Sequence, residues 1–258
     1  MKTILLATAA AATMISAPAF AQDAIGSVAV SYTNPSVDAD GFNKVAADVW
    51  SVDGTVALPV KDWTVTMNGA VDYTKALGAD DTSAMLAAHG TKLWTSDVRA
   101  GAFVAANGIG TGNTVWTVGA EAQKYLANAT LTGAVAWSDT SIGDVWTVGG
   151  DAAYYVLPNL RLNAGVSYNN VDVTGGSVDA WTYGVGAEYE IKDTPFSVGA
   201  AYTRADIKSV DVDTWSFNVR YAFGGGLQAR DRAGANLGVP AITRVLTGFK
   251  APAKNVSM

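Results

Sequence analysis

The sequence has no cysteine, little charge and no apolar run long enough for a membrane helix. Charged residues make up 16% of the 258 positions, against about 25% in an ordinary globular domain. The lack of cysteine excludes a disulfide-stapled scaffold, and an apolar content of 49% excludes an intrinsically disordered chain. A helical membrane protein would gather its apolar residues into runs of about 20. Here they are scattered among Thr, Ser, Asn, Asp and Gly.

The N-terminus carries the most continuous apolar stretch. It follows Met1–Lys2, covers Ile4–Ala17 and leads to an Ala-x-Ala sequence at Ala19–Ala21. These three parts are typical of a secretory signal peptide, and the stretch is too short to be a membrane span. We therefore predict a signal peptide over residues 1–21, cleaved near Ala21, and a mature chain that begins at Gln22. The acidic balance of the chain, −6 in all, argues against a nucleic-acid partner.

The remaining chain repeats a short phrase around tryptophan. Asp-Val-Trp-Ser-Val at 48–52 has variants at 114–118, 144–148, 179–183 and 213–217, and a weaker copy at 81–85. From each tryptophan, apolar side chains continue at every second position, opposite Thr, Ser, Gly and charged residues. Such alternation indicates β-strands with two different faces. Each repeat holds a second segment with the same alternation. Together with an opening strand at Gly26–Tyr32, these segments give about twelve predicted strands.

The connections between these strands alternate in length. Short ones such as Pro59–Asp62 face longer polar ones such as Thr33–Lys44, Lys75–Asp81 and Arg204–Val212. This pattern predicts an all-β fold: an antiparallel, up-and-down, transmembrane β-barrel of about 12 strands over residues 22–226. We predict that residues 227–258 form a basic C-terminal extension in the periplasm. The alternation is least regular over 82–97.

The aromatic residues indicate which face meets lipid. Tryptophans begin the descending strands, and Tyr or Phe recurs eight positions later on the same face. Eight residues rise about 26 Å, or roughly 20 Å along the membrane normal at a tilt near 40°, which approaches the apolar band of a membrane barrel. The alternative is an aromatic stripe in the core of a secreted sandwich. The predicted interfacial girdle consists of Trp50, Trp116, Trp146, Trp181, Trp215, Tyr154, Tyr189 and Phe223.

The signal peptide, the hairpin repeat and the aromatic close of the last strand, Tyr221-Ala222-Phe223, together resemble Gram-negative outer-membrane β-barrels. More narrowly, the chain resembles the small porin-like barrels of alphaproteobacteria. The resemblance implies location in the cell outer membrane and a last strand whose Tyr221 and Phe223 are read by the barrel-assembly machinery. The chain departs from that pattern because residues 224–258 follow Phe223, so the assembly signal would be internal.

The census of reactive residues argues against an enzyme. The one histidine, His89, is followed by Gly90-Thr91-Lys92-Leu93, without the nearby serine that a barrel phospholipase would need. A polar strand position is therefore its predicted role. One histidine and no cysteine exclude a usual zinc site. We accordingly predict no catalytic residue, no metal and no cofactor.

The polar face predicts a charged lumen. It carries more acids than bases, which suggests a mild cation preference. Glu121, Asp151 and Arg220 each lie five residues after their tryptophan, near mid-height, and strand 6 would face strand 12. Glu121 and Arg220 could thus form a constriction across the lumen; the alternatives are a salt-bridged plug or charges solvated in a wet lumen. The predicted lumen or constriction residues are Glu121, Asp151, Arg220, Asp53 and Glu188.

Two functions follow from this reading. The first is a porin-like channel for passive diffusion of small hydrophilic solutes. The alternative is a non-conducting structural or adhesive barrel that acts through its loops or its tail. Expected partners are outer-membrane lipid, lipopolysaccharide and the assembly machinery. The basic tail could contact peptidoglycan or fold into the lumen as a plug, although a flexible, solvated extension is the favoured reading. The oligomeric state is not predicted.

Overall fold

The computed structural model describes residues 24–39, 41, 43–109, 114–140, 143–173, 176–208 and 210–237. The predicted signal peptide and residues 238–258 lie outside this part of the chain. The described residues form twelve strands and one short helix. These are β1 (Ile25–Ala39), β2 (Val45–Val60), β3 (Trp63–Ala76), β4 (Ala79–Thr95), β5 (Val98–Ile109), β6 (Val115–Tyr125), β7 (Ala129–Thr140), β8 (Gly143–Leu157), β9 (Leu160–Val173), β10 (Gly176–Glu190), β11 (Phe196–Ile207), β12 (Val210–Phe223) and the helix α1 (Leu227–Arg232).

The strands close into one antiparallel barrel. Each strand pairs with its neighbours in sequence, and β1 pairs with β12 from Gly26 opposite Phe223 to Ala39 opposite Val210. Closure leaves no sheet edge unpaired, as a lipid environment requires. The predicted fold class, an up-and-down barrel of about 12 strands, is confirmed.

Alternating exposure identifies the two faces of the wall. On β8, Trp146 and Val148 are each 56% exposed, whereas the intervening Thr147 is 5% exposed. The apolar positions therefore point outward, and the polar positions point into the barrel. This is the inverse of a soluble sandwich, and it is the arrangement of a membrane barrel.

The strands on the side of the long loops are longer than predicted. The connection expected over Arg204–Val212 shrinks, because β11 reaches Ile207 and β12 begins at Val210. Likewise β3 and β4 are joined by Leu77 and Gly78, whose φ angles of 52° and 80° are those of a tight hairpin turn. The strands continue here with polar residues such as Asp80, Asp211 and Asp213 at outward positions, so the outward apolar alternation ends before the backbone ladder does.

The opposite rim has tight turns held by side chains. At the β4–β5 turn, Lys124 and Thr95 both donate hydrogen bonds to the carboxylate of Asp97. The hydrogen bond from Lys124, followed by that from Thr95, lowers the pKa of Asp97. These contacts favour the ionised carboxylate at the rim.

The first part of the tail is not a solvated extension. Residues 224–237 turn back from the end of β12 into the barrel, where Leu227 and Leu237 are buried. The prediction of a flexible region beginning at 227 is therefore corrected for residues 227–237. The prediction is based on the high charge of the tail. In the structure, the charged side chains of this part pair with groups on the barrel wall and not with water alone.

Candidate functional site: the lumen

The inner wall is accessible on one side and packed on the other. Several inward residues of β9–β12, including Asn163, Gly184, Gly199 and Ser216, are partly exposed, while others such as Thr182 and Ser197 are buried. Inward residues of β3–β6, including Thr66 and Phe103, are buried. The accessible arc is lined by small and polar groups, so it offers hydrogen-bonding surface to a polar solute.

Glycine shapes the accessible arc at one position in particular. A Cβ atom placed on Gly199 would lie 2.6 Å from Nδ2 of Asn218, its cross-strand partner. The missing side chain lets the asparagine amide lie flat against the wall. The arrangement keeps a polar group in the lumen while occupying little of its width.

Four charged side chains from the strands and one from α1 form a network around Glu188. Arg230 Nη2 of α1 donates to Glu188 Oε1 at 2.9 Å, Arg220 Nε lies 3.5 Å from the same oxygen, and Arg161 Nη1 lies 3.9 Å from Oε2. Arg220 also donates to Ser27 and lies 3.8 Å from Asp53. Three of the predicted lumen residues, Arg220, Asp53 and Glu188, are thus brought together. The two remaining members, Arg161 and Arg230, were not among the predicted site residues.

Glu121 is part of a different, packed site. Its Oε1 lies 2.7 Å from Nδ1 of His89, and both side chains are buried. The imidazole stacks on the ring of Phe103, with centroids 5.3 Å apart. The pairing of β3 with β4 points His89 inward, opposite Thr66. Sequence reasoning missed this pair, although the inward Thr91 two residues later was a usable signal.

The predicted pairing of Glu121 with Arg220 across the lumen is not what the structure has. Glu121 contacts His89 on β4, and Arg220 contacts groups on β1, β2 and β10. Coulomb energy falls with distance and charges resist desolvation, so each charge pairs with the nearest opposite group along the wall. Asp151 is exposed to the lumen, opposite Thr132 on β7.

The lower end of the lumen is crossed by the segment 224–237, called here the plug. Tyr155 donates to the carboxylate of Asp231 at 2.7 Å on one side of the barrel. On the other side, Arg99 donates to the Arg232 carbonyl at 3.0 Å and Thr66 to the Gly234 carbonyl at 3.0 Å. The plug therefore reaches from β8 to β3 and β5 across the interior.

The outer surface places the predicted girdle where it can meet a membrane interface. Its seven Trp and Tyr members point outward and are exposed; Phe223 is half-buried against Gly26. Above the upper aromatics, tyrosine hydroxyls donate to aspartates, as in Tyr168 to Asp179 at 2.6 Å and Tyr202 to Asp213 at 2.6 Å. The outer girdle thus carries hydrogen-bonded carboxylates at the expected headgroup level.

Two other features are absent from the described residues. In that part of the chain, no cluster of three or more His, Asp or Glu side chains is arranged to hold a metal ion. No helix within the same ranges has the length and apolarity to cross a membrane.

Comparison with known proteins assigns the chain to a family. Residues 7–223 match the family described as outer membrane protein beta-barrel domain. No functionally curated protein matches the chain by sequence.

Solved structures share the architecture at low sequence identity. An outer membrane channel from Pseudomonas putida F1 is 14% identical, with a TM-score of 0.59 over 78% of this chain and 95% of that one. The KdgM porin, solved with disordered oligogalacturonate, is 10% identical, with a TM-score of 0.54 over 76% and 99%. The translocator domain of the autotransporter NalP from Neisseria meningitidis is 14% identical, with a TM-score of 0.51 over 86% and 96%. These likenesses show the fold alone. Together with the family match over most of the chain, they lead to one conclusion: this chain belongs to the outer-membrane β-barrel family and is a protein of the outer membrane.

Proposed function

We propose that the barrel is a channel for passive diffusion of small hydrophilic solutes across the outer membrane. The observation that carries the proposal is the accessible arc of β9–β12, where Gly, Ser, Thr and Asn line the interior. A barrel built only for rigidity would fill this side with packed side chains. Two of the compared structures are described as a porin and as an outer membrane channel, which supports the same proposal.

The charges that face the lumen favour a mild cation preference. The strand acids that are not buried are Asp53, Asp72, Asp151, Glu188 and Glu190, and the strand bases are Arg161 and Arg220; Glu121 and Arg99 are buried in the packed side of the wall. Charge in a narrow polar passage biases the ions that enter it. Asp151 is the acid most accessible to a passing ion.

The second candidate is a non-conducting barrel. The plug favours it, because residues 224–237 cross the interior from β8 to β3. In that case the outer loops or the periplasmic tail would carry the function. The NalP translocator domain has a similar barrel, so the fold by itself does not choose between the two.

Export and assembly belong to the same proposal. Residues 1–21 would be removed as a signal peptide, and Tyr221 and Phe223 of β12 would present the assembly signal. Tyr221 points outward and packs against Phe196 of β11, with ring centroids 5.5 Å apart. The upper carboxylates would meet lipopolysaccharide. The narrower likeness to alphaproteobacterial barrels and a contact of the tail with peptidoglycan stay predictions.

Planar-bilayer recording tests the proposed function. The full-length barrel, reconstituted in a salt gradient, is expected to give discrete current steps and a reversal potential of the sign for cations. Protein-free bilayers and a heat-denatured sample are the controls. The absence of current steps from protein that is demonstrably folded would favour the non-conducting barrel.

A further inference from the structure

Three consecutive glycines join β12 to the plug. They are Gly224, Gly225 and Gly226, directly after Phe223. Gly224 has a φ of 80°, and a Cβ atom there would lie 2.5 Å from the carbonyl oxygen of Ala24. This position requires glycine for the chain to turn back into the barrel. Three glycines in a row also offer the widest choice of backbone angles, as a hinge needs.

The plug is held on the β8–β10 side by its own side chains. Leu227 is fully buried in a cluster with Ala153 and Tyr155. Arg230 and Asp231 are 2% and 3% exposed and bond to Glu188 and Tyr155 respectively. Two of the three charged side chains of the helix, Arg230 and Asp231, are therefore buried against partners on the wall, and neither would be buried if the plug were withdrawn.

The plug is held on the β3–β5 side through its backbone. Thr66 and Arg99 donate to the carbonyls of Gly234 and Arg232. In return, Arg232 donates to the Leu126 and Ala127 carbonyls of the β6–β7 turn, at 2.6 and 3.0 Å. Most contacts of the plug are hydrogen bonds and ion pairs that water can replace, and its buried apolar side chains are Leu227, Ala235 and Leu237. A segment held mainly by polar contacts can leave while exposing little apolar surface.

We propose that residues 224–237 are a hinged plug that closes the periplasmic end of the lumen and opens it by swinging on Gly224–Gly226. The inference rests on the proposed channel function and names how that channel is regulated. The contacts of Arg230 and Asp231 set the balance between closed and open states. Glu188 keeps its partners Arg161 and Arg220 when the plug leaves, so its negative charge stays paired in both the closed and the open state.

A reversible tether in the full-length protein tests the plug directly. The chain has no cysteine, so Ala153→Cys with Leu227→Cys places a unique pair in one buried cluster. Planar-bilayer current is recorded from the same sample after oxidation and again after reduction, and mass measurement verifies the disulfide. The single-cysteine variants are the matched controls, since they meet the same oxidant without forming the tether. We expect the oxidised protein to stay closed and the reduced protein to show openings.

A second variant loosens the plug without a tether. Arg230→Gln with Asp231→Asn removes both charged contacts, each worth roughly a 10- to 100-fold change in an equilibrium. We expect the ratio of open to closed time to rise at least about 10-fold. Gln228→Ala removes an exposed contact to Ala127 and is expected to change that ratio little.

The outcomes separate the two proposals. Equal currents from oxidised, reduced and wild-type protein would overturn the hinged plug and leave the channel standing. Silence in every state, including that of Arg230→Gln with Asp231→Asn in folded protein, would overturn the channel function and the plug's role with it.

Discussion

At the residue scale, the interior charges are organised by short-range pairing. Glu188 gathers three arginines within 4 Å, and Glu121 is paired with His89. The sequence placed Glu121, Asp53, Glu188 and Arg220 on the inner face, because the period of two decides facing. The sequence could not identify the residues that pair with these charges. That pairing depends on how far each side chain reaches and on the plug, which has no periodic sequence pattern.

Arg220 is expected to oppose the passage of cations. Arg220→Ala should raise the ratio of cation to anion permeability, by up to about fivefold if the charge acts on an ion at about 4 Å in water. Reversal potentials in a salt gradient measure the ratio. Arg204→Ala is the matched control, since Arg204 lies at the outer rim with Asp211 and Asp213. An unchanged ion preference in Arg220→Ala would contradict this role.

The buried pair of His89 and Glu121 is expected to matter for stability. Glu121→Ala should lower the free energy of unfolding by roughly 3 kcal/mol, because it leaves a buried imidazole without its partner. Urea unfolding of the barrel in lipid vesicles measures the change. His89→Gln with Glu121→Gln, which can retain a hydrogen bond between neutral groups, should cost less. Equal losses in the two variants would contradict a specific stabilising role for the contact between His89 and Glu121.

Asp97 provides a test at the rim of short turns. Its pKa is lower in the folded barrel than in the unfolded chain, because Lys124 and Thr95 donate to its carboxylate. The associated stabilisation is present above the unfolded pKa and is lost as the pH falls through the folded value. NMR titration should find a lowered pKa that returns toward the ordinary value in Lys124→Met. The same pKa in both proteins would contradict the assigned cause.

At the scale of elements, the sequence predicts strands well where their two faces differ in chemistry. The tryptophan phrases locate β2, β6, β8, β10 and β12. Prediction fails above the girdle, where β1 runs on to Ala39 with Asn34, Ser36 and Asp38 in place of apolar residues on its outward face. It also fails at α1, because six residues are too few to show a helical period and their charges imitate those of a solvated tail.

Two adjacent positions on β12 test which residues of the wall face lipid and which face the lumen. Val219 points outward and is 55% exposed, whereas Asn218 points into the lumen. Val219→Arg should lower the free energy of unfolding in lipid by about 2–4 kcal/mol, since the charge would lie in the apolar band. Asn218→Arg should cost less than about 1 kcal/mol, because surface-like sites tolerate substitution. Equal costs at the two positions would contradict the assigned facing.

At the scale of the whole molecule, the unusual composition follows from the barrel. Apolar residues occupy every second position and face lipid, so high apolar content requires no apolar run. Charge is scarce because the lipid face admits little of it and the lumen wall is mostly small and polar. The sequence could predict closure, because a sheet that faces lipid cannot leave its edges unpaired. It could not predict the width left inside, since this depends on shear and on what the lumen contains.

Liposome swelling with sugars of graded size tests the central claim, a water-filled polar passage through the barrel, most directly. Vesicles that contain the full-length protein are placed in isosmotic solutions of each sugar, and the fall in turbidity is followed. The account predicts fast swelling with the smallest sugars, slower swelling as size increases and a cut-off at larger oligosaccharides. Rates equal to those of protein-free vesicles for every sugar, with the barrel folded and inserted, would contradict it.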